Sequence, residues 1–403
     1  MRTRSEKIGL VLSGGGARGA YEVGLLAGLV DVLGLTPEDR PPFQVFTGTS
    51  VGAINASFLA ANAHRGDLGT KQLVQAWRQL SLEAHLRLDL FGVGRFSRSL
   101  RPWKSGPDPT LGRAMFDASG LESFVTEQID WQRLEANLAH GHLDALVISA
   151  LRIYDGQRTL FASLSPQGRF EASRDPRRNA VEVSVNAEHV IASAALPFLF
   201  PLRRIDGHWY CDGGLRSSTP IAPAIRSGAD RLVVVSLAHN EPGPLEPPPR
   251  YAPYPGPVLL LGKLLNAMFL DPVNYDLHVL RRLNRIIGVL DDTLTAKSRA
   301  RFDTVTSEVR GQTYRAIETL VFHPSVDLGA LAGVHLRDQG GVHQLGRLGS
   351  WFLRRAAKAE ASWEVDLASY ILFDGGFAER LIEVGRSDAW ARADEIRAFF
   401  DQR

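Results

Sequence analysis

Short apolar runs alternate with longer stretches of helical spacing through the first 240 residues of the chain. Runs rich in Val, Ile, Leu and Phe predict buried strands at 8–12, 43–46, 144–153, 159–163 and 231–237, with a further strand before Asp212. Between them, apolar residues recur at helical spacing, most clearly at 20–33, 71–80 and 121–128. This alternation predicts an α/β sandwich with a mostly parallel central sheet.

The pattern breaks after residue 240. The segment 241–257 holds 8 of the 22 prolines and predicts a semi-rigid connector, because proline continues neither a helix nor a central strand. Helical spacing returns at 259–290, 297–320 and 345–400, while residues 321–323 could return one strand to the sheet. We therefore expect a first domain over 1–240, a connector over 241–257, and a mainly helical extension over 258–403 that packs on the first domain.

Ser50 lies in a Gly-x-Ser-x-Gly sequence, Gly48 to Gly52, between a predicted strand and a predicted helix. In this context the pattern is typical of a nucleophile elbow, in which glycines permit a sharp turn and the serine hydroxyl projects from the top of the sheet. The alternative is a helix N-cap, since a serine oxygen can accept from the free N–H groups of a first turn.

A second glycine-rich turn, Ser13 to Gly19, follows the first predicted strand and precedes a helix. Strand, glycine turn and helix start together are typical of an anion site, for a phosphate or for the oxyanion of acyl transfer. The loop also satisfies the dinucleotide-binding fingerprint. That reading is disfavoured, because Glu38 and Asp39 fall before the second strand instead of at its end.

Asp-Gly-Gly sequences occur at Asp212 and at Asp374. A carboxylate at a strand end could deprotonate a serine on a neighbouring strand end, but an aspartate before glycine could equally bond its own backbone in a turn. The flanks of Asp374 have helical spacing. We therefore expect a structural turn between two helices there, with glycine as the helix stop.

Three motifs in order, Gly14 to Gly19, Gly48 to Gly52 and Asp212 to Gly214, resemble those of the patatin-like phospholipases of bacterial type. Segments 192–201 and 115–121 extend the resemblance, which covers about 8–238. It implies a three-layer sandwich and a catalytic dyad of Ser50 and Asp212. It also implies an oxyanion site made by the backbone of Gly14, Gly15 and Gly16 with Arg18, and elbow and turn glycines at Gly48, Gly52, Gly213 and Gly214.

The resemblance implies a serine acyl hydrolase that cleaves ester bonds of phospholipids, lysophospholipids or other lipid esters through an acyl-enzyme. A Ser-His-Asp triad is the rival mechanism, and among the eleven histidines His239 is the best candidate for its middle member. We see no metal-ligand spacing and expect no cofactor. A non-catalytic lipid-binding or scaffolding protein on the same fold is the alternative function.

The composition of the chain indicates which kinds of partner to expect. With 46 basic and 44 acidic residues the net charge is only +2, so we expect no nucleic-acid binding. A single cysteine and the absence of a signal-peptide pattern favour the cytoplasm. The mixed basic and apolar segment 86–115 predicts a lid or a contact with lipid, and the alternative is that it only anchors a long loop. The 13-residue apolar segment 258–270 falls short of the ~20 residues that span a bilayer. It could contact the inner face of the membrane, but packing on the first domain is favoured. The oligomeric state is not predicted.

Overall fold

The computed structural model describes residues 6–81, 87–88, 114, 116–216, 218–239, 257–269, 271–338 and 362–401. Within this part of the chain, nine strands form one sheet and two more form a short hairpin. The strands are β1 (Ile8–Leu12), β2 (Val45–Thr49), β3 (Arg87–Leu88), β4 (Phe116–Asp117), β5 (Ala145–Arg152), β6 (Arg158–Leu164), β7 (Arg178–Glu182), β8 (Arg203–Ile205), β9 (His208–Asp212), β10 (Arg231–Val235) and β11 (Glu318–Phe322).

The sheet runs in the order β11-β10-β1-β2-β5-β6-β7, and β9 pairs with both β5 and β8. The five strands from β11 to β5 are parallel to their neighbours, and β6 and β7 are also parallel to each other. Strand β5 is antiparallel to β6 and to β9. The predicted α/β fold with a mostly parallel sheet is therefore confirmed, with antiparallel pairs on the side that carries Asp212.

Fourteen helices of the described residues accompany the sheet. They are α1 (Ala20–Leu33), α2 (Val51–Ala61), α3 (Thr70–Arg78), α4 (Ser119–Gln128), α5 (Trp131–Ala139), α6 (Ala187–Ala194), α7 (Ile221–Arg226), α8 (Pro257–Phe269), α9 (Asp271–Thr293), α10 (Ala296–Arg310), α11 (Leu328–Asp338), α12 (Ser362–Ile371), α13 (Gly375–Ala391) and α14 (Ala393–Asp401). The predicted helix at 20–33 is found with the same bounds. The helix predicted at 71–80 spans Thr70–Arg78, and the one predicted at 121–128 begins two residues earlier, at Ser119, and ends where predicted.

Side-chain alternation along β1 shows why the sheet is buried on both faces. Leu10 and Leu12 enter the larger hydrophobic core, whereas Val11 enters a second core on the other face. Successive strand residues point to opposite faces, so a continuous apolar run is the pattern of a strand covered on both sides. Helices α1, α2 and α13 contribute to the first core and α7 and α9 to the second. This is a three-layer arrangement.

The region beyond residue 257 differs in detail from the sequence prediction. Helix α10 ends at Arg310, because Gly311 takes the left-handed conformation with φ 81°, a conformation that commonly ends helices. Strand β11 then pairs in parallel with β10. The helix expected over 297–320 was therefore wrong after residue 310, and the strand expected at 321–323 begins three residues earlier, at Glu318.

Helix α13 packs closely on α1 through small residues. A side-chain carbon added at Gly24 would approach the backbone of Ile382 to 2.1 Å, and one added at Gly28 would lie 2.7 Å from Ala389 Cβ. The C-terminal helix α13 therefore packs backbone to backbone on α1, which belongs to the first 240 residues. Strand β11, which follows the connector in the chain, belongs to the same sheet as β1 and β10. The division of the chain into domains stays a prediction.

Several predicted features fall on other parts of the chain. The connector lies outside the described residues except for Pro257, which begins α8, and the segment 86–115 is described only at 87–88 and 114. Among the described residues, no helix is both long enough and apolar enough to cross a membrane.

Candidate active site

Ser50 lies between the end of β2 and the start of α2, in a strained backbone conformation. Its φ is 56° and its ψ is −127°, a combination that non-glycine residues rarely adopt and that is held only where surrounding contacts enforce it. The Ser50 N–H donates to Ser193 Oγ at 2.9 Å, and the N–H of Ala53 donates back to the Ser50 carbonyl at 2.9 Å. The turn is thus the strand-to-helix elbow that the sequence predicts.

The two elbow glycines are required by close backbone approach. A side-chain carbon at Gly48 would lie 2.2 Å from the carbonyl oxygen of Gly52, and one at Gly52 would lie 2.5 Å from that of Leu12. No rotamer relieves a clash between a Cβ and backbone. Any larger residue would therefore force the elbow and β1 apart and displace Ser50.

Asp212 ends β9, which pairs with β5, and β5 pairs with β2, which leads to Ser50. The Asp212 carboxylate is fully buried, with no exposed surface. Its Oδ1 accepts from the Gly214 N–H at 2.7 Å. The Ser50 side chain interacts with the same carboxylate, although Oδ2 has no hydrogen bond of normal geometry among the described residues. The two predicted dyad residues are therefore neighbours.

The electrostatics of Asp212 are unusual for an aspartate. Burial raises the pKa of its carboxyl to about 7, against the opposing effects of the Ser50 side chain and the Gly214 N–H. An ordinary aspartate has a pKa of about 3.9 and is too weak a base to accept a proton from an alcohol. A pKa near the ambient pH is the value that suits a general base.

The glycine loop passes close to this pair. A side-chain carbon at Gly14 would lie 3.2 Å from Ser50 Cβ. The Gly14 N–H donates to the Ser218 carbonyl at 2.9 Å, whereas the N–H groups of Gly15 and Gly16 have no backbone acceptor among the described residues. The role of this loop as an oxyanion site stays a prediction.

Arg18 is buried against α12. Its side chain is 2% exposed, its Nε donates to Ser369 Oγ at 2.7 Å, and its guanidinium carbon lies 4.1 Å from the ring centre of Tyr370. These contacts tie the glycine loop to α12. A direct role of Arg18 toward an oxyanion stays a prediction.

Glu22 is a buried acid of this region that the motifs do not contain. Its carboxylate accepts from the Ser13 N–H at 2.8 Å and from Asn55 Nδ2 at 2.9 Å, so it joins the glycine loop to the helix that follows the elbow. Burial raises the pKa of Glu22 to about 8. It is the only charged residue between Ala20 and Val30, and this is the sequence signal that could have identified it.

Phe269, the last residue of α8, covers the site. A side-chain carbon at Gly14 would lie 2.9 Å from its ring, and one at Gly214 would lie 2.2 Å from it, so the ring sits between the glycine loop and the Asp212 turn. Phe269 has no exposed surface, and Ser50 is only 3% exposed. Ser50 therefore has almost no surface open to solvent in this structure.

The rival residues lie elsewhere. His239 Nδ1 is 2.8 Å from the Pro324 carbonyl oxygen, and no histidine is among the described groups that perturb Asp212. Asp374 lies between α12 and α13, as expected, but its glycines do not stop a helix; they open α13, and Asp374 caps it by accepting from the Phe377 N–H at 3.0 Å. Over the described residues, no group of three potential ligands could hold a metal ion.

The fold and this arrangement define an α/β protein with a serine on a nucleophile elbow beside a buried carboxylate. The family model for patatin-like phospholipases matches residues 10–225, which is more than half of the chain. The chain therefore belongs to the patatin-like phospholipase family.

Individual relatives either match only part of the chain or share little sequence identity with it. The chain is 30% identical over 212 residues to a cGAMP-activated phospholipase of Pseudomonas aeruginosa; the match covers 52% of this chain and 53% of that protein, about half its length. VipD from Legionella pneumophila has 12% identity and a TM-score of 0.30, covering 94% of this chain and 67% of the other. Human GIVD cytosolic phospholipase A2, in complex with methyl gamma-linolenyl fluorophosphonate, has 13% identity and a TM-score of 0.35, covering 96% and 60%.

Proposed function

We propose that the protein is a lipid acyl hydrolase that cleaves ester bonds of phospholipids, lysophospholipids or related lipid esters through Ser50 and Asp212. The observation that carries this proposal is the buried Asp212 carboxyl, which has a pKa raised to about 7 and lies beside the Ser50 side chain. Membership of the patatin-like phospholipase family supports a lipid substrate. Peripheral contact with a membrane follows as part of the proposal, since such substrates reside there.

The geometry supports a two-step mechanism. Asp212 takes the proton of Ser50 as Oγ attacks the ester carbonyl, and the resulting oxyanion accepts from the N–H groups of Gly15 and Gly16. The tetrahedral intermediate collapses to an acyl-serine, and the alcohol leaves with the proton from Asp212. Water then attacks the acyl-serine, with Asp212 again as base, and releases the fatty acid and the free serine hydroxyl.

A second, more specific candidate is a hydrolase that a nucleotide switches on. The covered site favours it, since Ser50 is 3% exposed beneath Phe269, and the relative from Pseudomonas aeruginosa is named for activation by cGAMP. A ligand that binds an open form more tightly than the covered form would increase the open fraction by that difference in affinity. The non-catalytic alternative predicts no reactive serine in either form.

The experiment is covalent labelling of the purified protein with a fluorescent fluorophosphonate, followed by peptide mass spectrometry. We expect the label on Ser50, and none on heat-denatured protein or on the Ser50→Ala variant. Parallel reactions with liposomes and with cGAMP measure opening of the site, and we expect at least one of them to accelerate labelling. If native protein stays unlabelled under all three conditions, the hydrolase proposal is wrong and a binding protein is the better description.

A further inference from the structure

A second pocket opens between β6, β7 and helix α7, and it is lined by three arginines. Arg158, Arg178 and Arg226 surround it together with Ser173 and Asn179, and none of its described lining residues is acidic. The space between its walls, including the open mouth, is about 290 Å³. The proposed hydrolytic mechanism makes no use of it.

Arg158 makes few hydrogen bonds for a buried arginine. It is 8% exposed, and its Nε donates to Ser149 Oγ at 3.3 Å. Its Nη2 is buried without a hydrogen-bond partner among the described residues. A guanidinium has five N–H donors, and a buried charge whose surroundings compensate it only in part is unfavourable. Such a group is expected where a ligand supplies the remaining acceptors.

The neighbouring arginines increase the local positive charge. Arg158 and Arg178 are paired residues on the parallel strands β6 and β7, and like charges in that relation destabilise a sheet. Arg226 is held in place by the carbonyl oxygens of Glu171, Ala172 and Arg310, at 2.8, 3.0 and 3.0 Å. Burial, and after it the charges of Arg310 and Arg178, lower the pKa of Arg226.

Nearby carboxylates compensate only part of this charge. Asp175 pairs with Arg178 at 3.5 Å and also with Arg177 at 3.3 Å. The charge of Asp276, on α9, reaches both Arg158 and Arg178. Neither aspartate lines the pocket, so its walls present positive charge to whatever enters.

We propose that this pocket binds a phosphate group of a small anionic ligand. Arginine forks match the geometry of phosphate oxygens, and the side chains of Ser173 and Asn179 add neutral donors. The phosphate could be free, part of a nucleotide or part of a lipid headgroup, since all three present the same charged oxygens.

The pocket is linked to the proposed nucleophile by three hydrogen bonds. Arg158 contacts Ser149 Oγ, the Ser149 carbonyl accepts from Ser193 Oγ at 2.7 Å, and Ser193 Oγ accepts from the Ser50 N–H at 2.9 Å. An anion that pulls on Arg158 acts on the residue that anchors Ser193. This link, which rests on the proposed function, predicts that the ligand changes the rate at which Ser50 is labelled.

Binding is tested by isothermal titration with inorganic phosphate at constant ionic strength, with chloride as reference. Arg178→Gln should weaken phosphate binding tenfold or more, since Arg178 is partly exposed and its loss removes positive charge without opening the core. Arg177→Gln is the matched control, because Arg177 is adjacent and also pairs with Asp175 but does not line the pocket. It should bind within twofold of wild type, and circular dichroism verifies the fold of both.

The same titrations with cGAMP and with phosphatidylglycerol vesicles, against phosphatidylcholine vesicles, distinguish the sources of phosphate. The source that binds most tightly and loses most on Arg178→Gln is the ligand class. All titrations are repeated on Ser50→Ala, so a wrong assignment of the nucleophile leaves the binding result intact. If no source binds, or if Arg178→Gln and Arg177→Gln bind equally, the pocket is not a phosphate site.

Discussion

The chain contains two Asp-Gly-Gly turns, at 212–214 and at 374–376, and their aspartates lie in opposite environments. Asp212 ends a strand, is completely buried, and has a carboxyl pKa raised to about 7 by that burial. Asp374 begins a helix and bonds His335 Nε2 at 3.0 Å. Its burial would raise the carboxyl pKa, but the bonds to His335 and to the Phe377 N–H outweigh it and leave the pKa lowered.

The difference shows that partners, more than the three-residue motif, determine what an aspartate can do. Asp374 has a histidine and backbone N–H groups that stabilise its charge, so it stays ionised and contributes to stability. Asp212 has one firm backbone hydrogen bond and the Ser50 side chain, so its charge is poorly stabilised and its proton affinity is high. Of the two aspartates, only Asp212 has a pKa close to neutral pH.

The largest predicted effect is on turnover. Asp212→Asn keeps the shape of the side chain but removes the base, so hydrolysis of a phospholipid or a chromogenic ester should fall by about 10²–10⁴-fold. Asp374→Asn is the matched control and should stay within about threefold of wild type, since its position is structural. Steady-state rates on both variants, after a check of fold by circular dichroism, decide the matter; a large loss at Asp374 with little at Asp212 would reverse the assignment.

The second prediction concerns pH. In the proposed mechanism the unprotonated form of Asp212 is the active one, so the rate should fall about tenfold per pH unit below its pKa of about 7 and level off above it. The Asp374→Asn variant should give the same profile, because its carboxyl does not take part. Initial rates from pH 5 to pH 9 measure this. A profile that stays flat down to pH 5 would mean that Asp212 is not the base.

The third prediction is that the two aspartates affect stability in opposite directions. Asp212 has a folded pKa of about 7 against about 3.9 unfolded, so wild-type stability falls as pH rises between these values, and Asp212→Asn should be stabilising by roughly 1 kcal/mol or more at pH 8. Asp374 has a lowered pKa, so its contribution is present above the unfolded value and is lost as pH falls through the folded one. Asp374→Ala should cost about 1–2 kcal/mol at pH 8, mainly through the lost cap.

Urea unfolding at pH 8 and at pH 4 provides the measurement. At pH 4 the Asp212→Asn gain should largely disappear, since wild-type Asp212 is then protonated in the folded state and about half protonated in the unfolded state. Destabilisation by Asp212→Asn at pH 8 would show that the carboxylate has stabilising partners beyond those observed.

Features that depend on residues close together in the chain could be predicted from the sequence, whereas those that depend on distant residues could not. The elbow at Ser50 follows from five consecutive residues, because Gly48 and Gly52 contact backbone within the turn or in the adjacent strand β1. The helical flanks of Asp374 likewise revealed a structural turn. The protonation of Asp212 could not be predicted, since it depends on burial by residues distant in the chain.

The remaining differences also depend on residues distant in the chain. The contacts of Arg18 with Ser369 and Tyr370 could not be predicted, because these partners are about 350 residues away and carry no motif. Helical spacing continued past Arg310 in the sequence, whereas the chain leaves the helix at Gly311 to pair with β10. Periodicity records which faces are apolar, and it does not identify the element that will cover them.

The smallest predicted effect concerns Phe269, which lies against the turn at 212–214. The Phe269 ring lies against the positions of Gly14 and Gly214, and Phe269→Leu keeps an apolar side chain while thinning this cover. Fluorophosphonate labelling of Ser50 should accelerate by about two- to fivefold, because a smaller residue favours the open form by less than 1 kcal/mol, about a factor of five. Leu265 on the same helix is 3% exposed, and Leu265→Met is the control that alters α8 without altering the residue against the two glycines. Equal labelling rates in wild type and Phe269→Leu would mean that access to Ser50 is limited by another element, and the contrast between the two turns would then rest on the protonation of Asp212 alone.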